Sequence, residues 1–126
     1  MPWPDIEVEL VTRLSSVLGV RVLTDLPASL DQILPVVQVQ RIGGSDDGFR
    51  LDRALIDVDV YAATRGGASL LARQAHSALV VGMRGLATSA AVFGRVSTVS
   101  AASWRPYENP NLRRFGATYE LFVHAA

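Results

Sequence analysis

Leu51-Asp52-Arg53-Ala54-Leu55-Ile56-Asp57-Val58-Asp59-Val60-Tyr61-Ala62-Ala63 is the clearest secondary-structure signal in the chain, the body of a long strand beginning at Phe49. Successive side chains of a strand point to opposite faces. Ala54, Ile56, Val58 and Val60 therefore share one face, and Leu55, Asp57, Asp59 and Tyr61 share the other. This alternation predicts a sheet with one face in the core and one outside it. Upstream, Pro35 to Ile42 repeats the pattern, with Val37 and Val39 against Gln38 and Gln40, and stops at Gly43-Gly44. Gly43-Gly44-Ser45-Asp46-Asp47-Gly48 reads as a flexible polar turn joining the two runs into a hairpin.

Working outward, residues 5 to 18 place Ile6, Leu10, Leu14, Val17 and Leu18 at helical spacing, with acids in the first turn and Gly19 as the stop. Val20 to Leu23 is a short apolar strand. Thr24 to Pro35 is a connector with a possible helical turn, whose Leu26, Leu30, Ile33 and Leu34 need cover. After the hairpin, Gly66-Gly67 opens a second helix, about Ala68 to Val81, with Leu71, Ala75, Ala78 and Leu79 on its core stripe. The stretch from Gly82 to Gly94 reads as a helix end and loop, and Arg95 to Ala102 as a strand. Trp104 to Arg114 is punctuated by Pro106, Asn109, Pro110 and Asn111. Such residues favour fixed torsions and turns, so this segment is expected as an exposed arm that touches a partner. Phe115 to Ala125 alternates again, with Phe122 an apolar residue on the polar face. The predicted fold is α+β, a mostly antiparallel sheet of four to five strands with two helices on one face.

Residues 1–126 are expected to form one domain with a real core, since the chain is 49% hydrophobic. Cysteine is absent, which removes disulfides, thiol nucleophiles and thiolate metal sites. No apolar run approaches the roughly 20 residues of a membrane span, and Asp5, Glu7 and Glu9 stand where a secretion signal is basic. The formal net charge is zero, yet residues 1 to 60 hold ten acids and five arginines, and residues 61 to 126 two acids and seven arginines. A fold that keeps this separation gives opposite flanks that attract in head-to-tail fashion; a fold that interleaves the halves erases it. All basic residues are Arg, a bias that genome composition also produces.

No catalytic, cofactor or metal constellation emerges. Asp57 and Asp59 project from one strand face about 7 Å apart, but His76 and His124 stand alone, without the spacing that would complete a metal site. The Gly43 to Gly48 turn lacks the lysine of a phosphate loop and the ligand series of a calcium loop. Arg65-Gly66-Gly67 offers either an anion seat at a helix start or a relaxed strand-to-helix corner. Arg105, Tyr107, Arg113, Arg114 and Phe115 could form a nucleic-acid patch, but the cluster is small in a neutral chain and favours protein contact. Trp3 is either an anchor on a neighbour or a helix staple.

Pro106-Tyr107-Glu108-Asn109-Pro110-Asn111-Leu112-Arg113-Arg114-Phe115, continuing to Ala117-Thr118-Tyr119, together with Leu51 to Ala62 and a small-residue helix, resembles the tail terminator (tail completion) proteins of long-tailed phages infecting actinobacteria. The likeness runs from about Leu10 to Val123. It implies a non-enzymatic virion subunit, made in the host cytoplasm, that closes into a homohexameric ring on the last ring of tail-tube protein. That ring ends tube growth and presents a face to the head-tail connector, with DNA only as cargo. Subunit contacts are expected from Asp52, Asp57, Asp59, Arg105, Tyr107, Asn109, Arg113 and Arg114, with Arg113 and Arg114 set against the acids. Asp46 and Asp47 suit a lumen or axial face, where carboxylates would not hold phosphate. Neck subunits of the head-to-tail connector share this plan and are the alternative; a small nucleic-acid-binding module is the rival from another class.

Overall fold

A computed structural model describes residues 3–126. Its elements run α1 (Ile6–Leu18), β1 (Arg21–Leu23), a short 3-10 turn (Leu30–Gln32), β2 (Val36–Asp46), β3 (Asp52–Ala62), α2 (Arg65–Val80), β4 (Ala91–Trp104) and β5 (Arg113–Ala125). The strands form one sheet in the order β1-β2-β3-β5-β4, antiparallel except for the β1–β2 pair. The fold is α+β. β3 lies near the centre because its alternation is the most regular in the chain, and it pairs with β5 from Asp52↔Val123 to Ala62↔Arg113. First-half and second-half strands are thus hydrogen-bonded in the middle of the sheet, and the charge separation of the sequence is interleaved there: Arg105 meets Asp59, and Arg53 meets Glu120.

Both helices cover one face. α1 lies over β1 and β2, and α2 over β3, β5 and β4. Asp5 caps α1 by accepting from the Val8 N–H (3.2 Å), and Gly19 ends it. Ile6, Leu10 and Leu14 enter the core, whereas Val17, expected on the same stripe, is 49% exposed. It sits one turn beyond the last residue that faces the sheet. α2 starts three residues earlier than its apolar stripe suggests, because Thr64 caps it through the Gly67 N–H (3.0 Å) and draws both glycines into the first turn. The core between helices and sheet joins Leu10, Leu14, Leu71 and Leu79 to Val39, Ile56, Val58, Phe93, Tyr119 and Leu121. Burying each Leu or Ile contributes about 2 kcal/mol, so this one face accounts for most of the driving force.

Four boundaries differ from expectation, each for a local reason. β2 does not stop at Gly43-Gly44; it bulges after Arg41 and continues to Asp46. Gly44 makes the continuation possible: it sits at φ 115°, and any Cβ there would strike the Arg53 carbonyl. β3 begins at Asp52 rather than Phe49, because Asp47 holds residues 49–51 in a loop. β4 begins at Ala91 rather than Arg95, with Ala91 and Phe93 buried against the end of β5. β5 begins at Arg113, two residues early, so Arg113 and Arg114 belong to the sheet.

The face away from the helices is covered at one end only. Leu30, Val36, Tyr61 and Leu112 form a second cluster there, packed by Leu23, Leu26, Ile33, Leu34 and Tyr107. Tyr61, expected on the outer face, is 1% exposed because the 24–35 connector and the 105–112 segment lie over it. Toward the other end the same face is open, presenting Leu55, Asp57, Glu120, Phe122 and His124 half-buried.

Candidate functional site

The expected contact residues divide into a docked strap and a hairpin. Residues 105–112 are not a free arm. Arg114 reaches back to the carbonyls of Arg105 (3.3 Å) and Pro106 (3.2 Å), and its guanidinium lies 5.0 Å from the Tyr107 ring centroid. Tyr107 packs edge-on against Tyr61, and Leu112 is buried. Arg113 donates to the Pro110 carbonyl at 2.7 Å, and Asn109 accepts from the Asn111 N–H at 2.9 Å. The turn residues do fix torsions, but they fold the strap onto the sheet. Only Pro106, Glu108, Pro110 and Asn111 are exposed along it. The two arginines that suggested phosphate recognition spend their donors on backbone carbonyls.

Asp57 and Asp59 do share a face, and each has a partner within the chain. The Asp57 carboxylate accepts from the Thr118 hydroxyl (2.5 Å) directly across the β3–β5 ladder. Asp59, 7% exposed, pairs with Arg105 at 3.0 Å. Burial pushes the Asp59 carboxyl above the usual carboxylate range; the Arg105 and Arg114 charges oppose that push without overcoming it. The pair lies over Gly116, where a Cβ would collide with both the carboxylate and the guanidinium. A glycine inside a central strand is the sign of such a close approach, and that sign stood in the sequence unread.

Asp52 is likewise paired inside the chain. Arg41 grips it bidentately at 2.6 and 2.7 Å, and hydrogen bonding to Asp52 raises the Arg41 pKa further. The Arg41 N–H donates to Glu7 of α1 (2.9 Å), and its Nε to the Gly43 carbonyl (3.0 Å). At the root of the hairpin Arg41 therefore ties β2 to β3 through its guanidinium and β2 to α1 through its backbone N–H.

Beyond that root residues 40–51 of β2 and the tip are exposed, while β3 stays paired with β5 up to Asp52↔Val123 and Arg50 lies 3.3 Å from His124 of β5. The tip is ordered by its own acids. The Asp47 carboxylate accepts from the N–H groups of Phe49 (2.9 Å), Arg50 (2.7 Å) and Leu51 (2.9 Å), and these bonds hold its pKa below the usual value. Asp46 accepts from Gly48 (2.8 Å). The expected flexible turn is a closed loop, and it presents Phe49 at 86% exposure. Sequence reading weighed Asp46 and Asp47 as free carboxylates and passed over the aromatic they position.

A second surface lies in the helical layer. Val17 and Leu18 of α1, Leu70 and Ala78 of α2 and Val81 just past its end line an apolar groove of about 680 Å³, with Arg73 as its only charged wall. Val81 is 76% exposed and Leu70 48%. At the other end of α2, Arg65 stacks on Trp104, 4.7 Å from its centroid, and the Gly67 N–H is taken by Thr64, so the glycine corner is structural. His76 Nδ1 lies 2.9 Å from the buried Tyr119 hydroxyl, and burial lifts that phenol to about 12, so it stays protonated. No group of His, Asp or Glu suited to a metal occurs among the described residues. Trp3 is 44% exposed beside the start of α1.

No family model matches the chain, and no curated protein matches it. Among solved structures it is similar to a chain in the virion of a native gene transfer agent particle, at 18% identity and a TM-score of 0.64. The match covers 94% of this chain and 91% of the other. At that identity the likeness establishes a shared fold, extending over nearly the full length of both chains.

Proposed function

We propose that this protein is a structural virion subunit, a tail terminator that closes into a homohexameric ring, caps the tail tube and offers the tail-side surface for head joining. One observation carries the reading: the whole fold, not a fragment of it, is shared with a protein of a gene transfer agent virion. The sequence resemblance to tail terminators supports it further. Among the surfaces that the fold leaves uncovered are the hairpin tip and an apolar groove, which suit contact between large partners better than turnover of a small one. Asp57, Asn109 and Arg113 are half-buried and keep part of their surface open for subunit contacts. Asp52, Asp59, Arg105, Tyr107 and Arg114 contribute by shaping the strap and the hairpin root. Asp46 and Asp47 travel with the tip, so their place in the ring follows from where the tip goes.

The test is tube growth. Tail-tube protein polymerised with the purified chain is expected to give short tubes of narrow length distribution, each with one end closed to further addition. Tubes that grow as long with the protein as without it refute the capping role. A head-tail connector or neck subunit is the second reading, since a fold shared with a gene transfer agent virion chain suits that role as well. That reading expects binding to filled heads and none to tubes.

A further inference from the structure

We infer that the β2–β3 tip of one subunit docks in the α1–α2 groove of the next, with Phe49 as the anchor. The inference rests on the ring reading and specifies its joint. Phe49 is a large apolar side chain held out at 86% exposure on a loop that Asp47 fixes through three backbone N–H groups. Rigid, pre-positioned aromatics are what interface hot spots are made of, because little conformational freedom is lost when they bind. Within its own chain Phe49 belongs to neither apolar cluster. The groove has the complementary properties. Its volume, about 680 Å³, is of the size that receives bulky apolar groups, and its walls are Val17, Leu18, Leu70, Ala78 and Val81.

Charge favours a second copy over an unrelated occupant. Arg73 is the single charged wall of the groove, and the tip carries Asp46 and Asp47 ahead of the anchor, with Arg50 after it turned toward His124 of β5, so the tip is acidic on balance. Seating Phe49 brings acid toward base. Knob and groove lie on different elements, the hairpin end and the helical layer, so each copy offers one and receives the other. That is a heterologous contact, which closes into a ring when its rotation permits. A two-fold pair exchanging knobs reciprocally would stop at a dimer, which cross-linking distinguishes from a ladder. Asp46 and Asp47 are thereby assigned to the joint between subunits.

The chain contains no cysteine, so cross-linking can be made site-specific. Arg50→Cys beside the anchor and Ser77→Cys on the groove wall both fall at exposed positions. The double variant treated with a short bismaleimide is expected to give a ladder rising to a closed species. A mixture of the two single variants is expected to give dimers only, and either single variant alone none. Adding Phe49→Asp to the double variant should cut the ladder at least tenfold. Dimers from Arg50→Cys alone, or a ladder indifferent to Phe49→Asp, overturn the docking. Native mass spectrometry separates this failure from that of the ring. Rings that persist in Phe49→Asp leave the ring and remove the joint, and if only tube binding is lost, the tip belongs to the tube protein. An unmodified chain that forms no oligomer, alone or with tube protein, removes both.

Discussion

The two ends of the β2–β3 ladder are built from the same alternating sequence and meet opposite fates. At the Val36↔Tyr61 end both faces are covered, by α1 and α2 on one side and by the connector and strap on the other. At the Asp46↔Asp52 end β2 has no outer neighbour and its residues are exposed. β1 supplies the difference, because its three residues pair only with 36–38. One end of the hairpin is therefore covered on both strands, and at the other only β3 is held, by β5, while β2 and the tip are left to solvent. Arg41 and Asp52 mark the border, fixing the root so that a solvent-exposed tip still points in one direction.

If this division is right, the largest stability effect falls at the covered end. Tyr61→Ala removes a fully buried ring from the second cluster and should cost roughly 3–5 kcal/mol in denaturant unfolding. A loss under about 1 kcal/mol would mean that the strap and connector do not truly cover that end. Arg105→Ala comes next. It strands the buried Asp59 carboxylate, and about 2–3 kcal/mol is expected, below the full range for a buried pair because Arg105 is partly exposed. Asp59→Asn should cost much less, since an amide can still accept from Arg105 without the desolvation of a charge.

The same carboxyl sets a pH dependence. Its folded pKa is raised, so between the ordinary value of 3.8 and that raised value the native state holds more protons than the unfolded state. Stability from this group is therefore greatest in acid and declines as pH rises through the window. Unfolding measured across mildly acidic pH should show that decline in the native chain and lose it in Asp59→Asn; identical slopes in the two would reject the assignment. At the exposed end the effects on stability shrink further. Asp47→Ala should leave the melting temperature nearly unchanged while the amides of Phe49, Arg50 and Leu51 exchange faster with solvent. Phe49→Ala is expected to be the smallest of all for folding and the most damaging for assembly. A marked fall in melting temperature would show that the tip belongs to the fold after all.

The covered end was also the readable end. Alternation in β2, β3 and β5 and the stripe of α1 gave the α+β class and the helix-covered face, because a sheet face that must be buried writes its period into the sequence. What lies over the second face left no such record. Proline and asparagine in residues 105–112 announce turns, but whether a turn-rich segment projects or folds back depends on Leu112, Tyr107 and Tyr61 meeting across residues distant in sequence. The paired acids were visible as a pair, while their separate partners, Thr118 and Arg105, became evident only from register. Gly116 carried a legible sign in a central strand. The tip misled most: two aspartates beside glycines suggest mobility, and they produce order because one carboxylate collects consecutive N–H groups.

Native mass spectrometry of the unmodified chain, alone and mixed with tail-tube protein, bears most directly on the claim that copies fit head to tail. The expected spectrum contains one closed oligomer, a hexamer, and few intermediates. A chain that stays monomeric in both samples would leave the knob and the groove without a purpose and end the proposal.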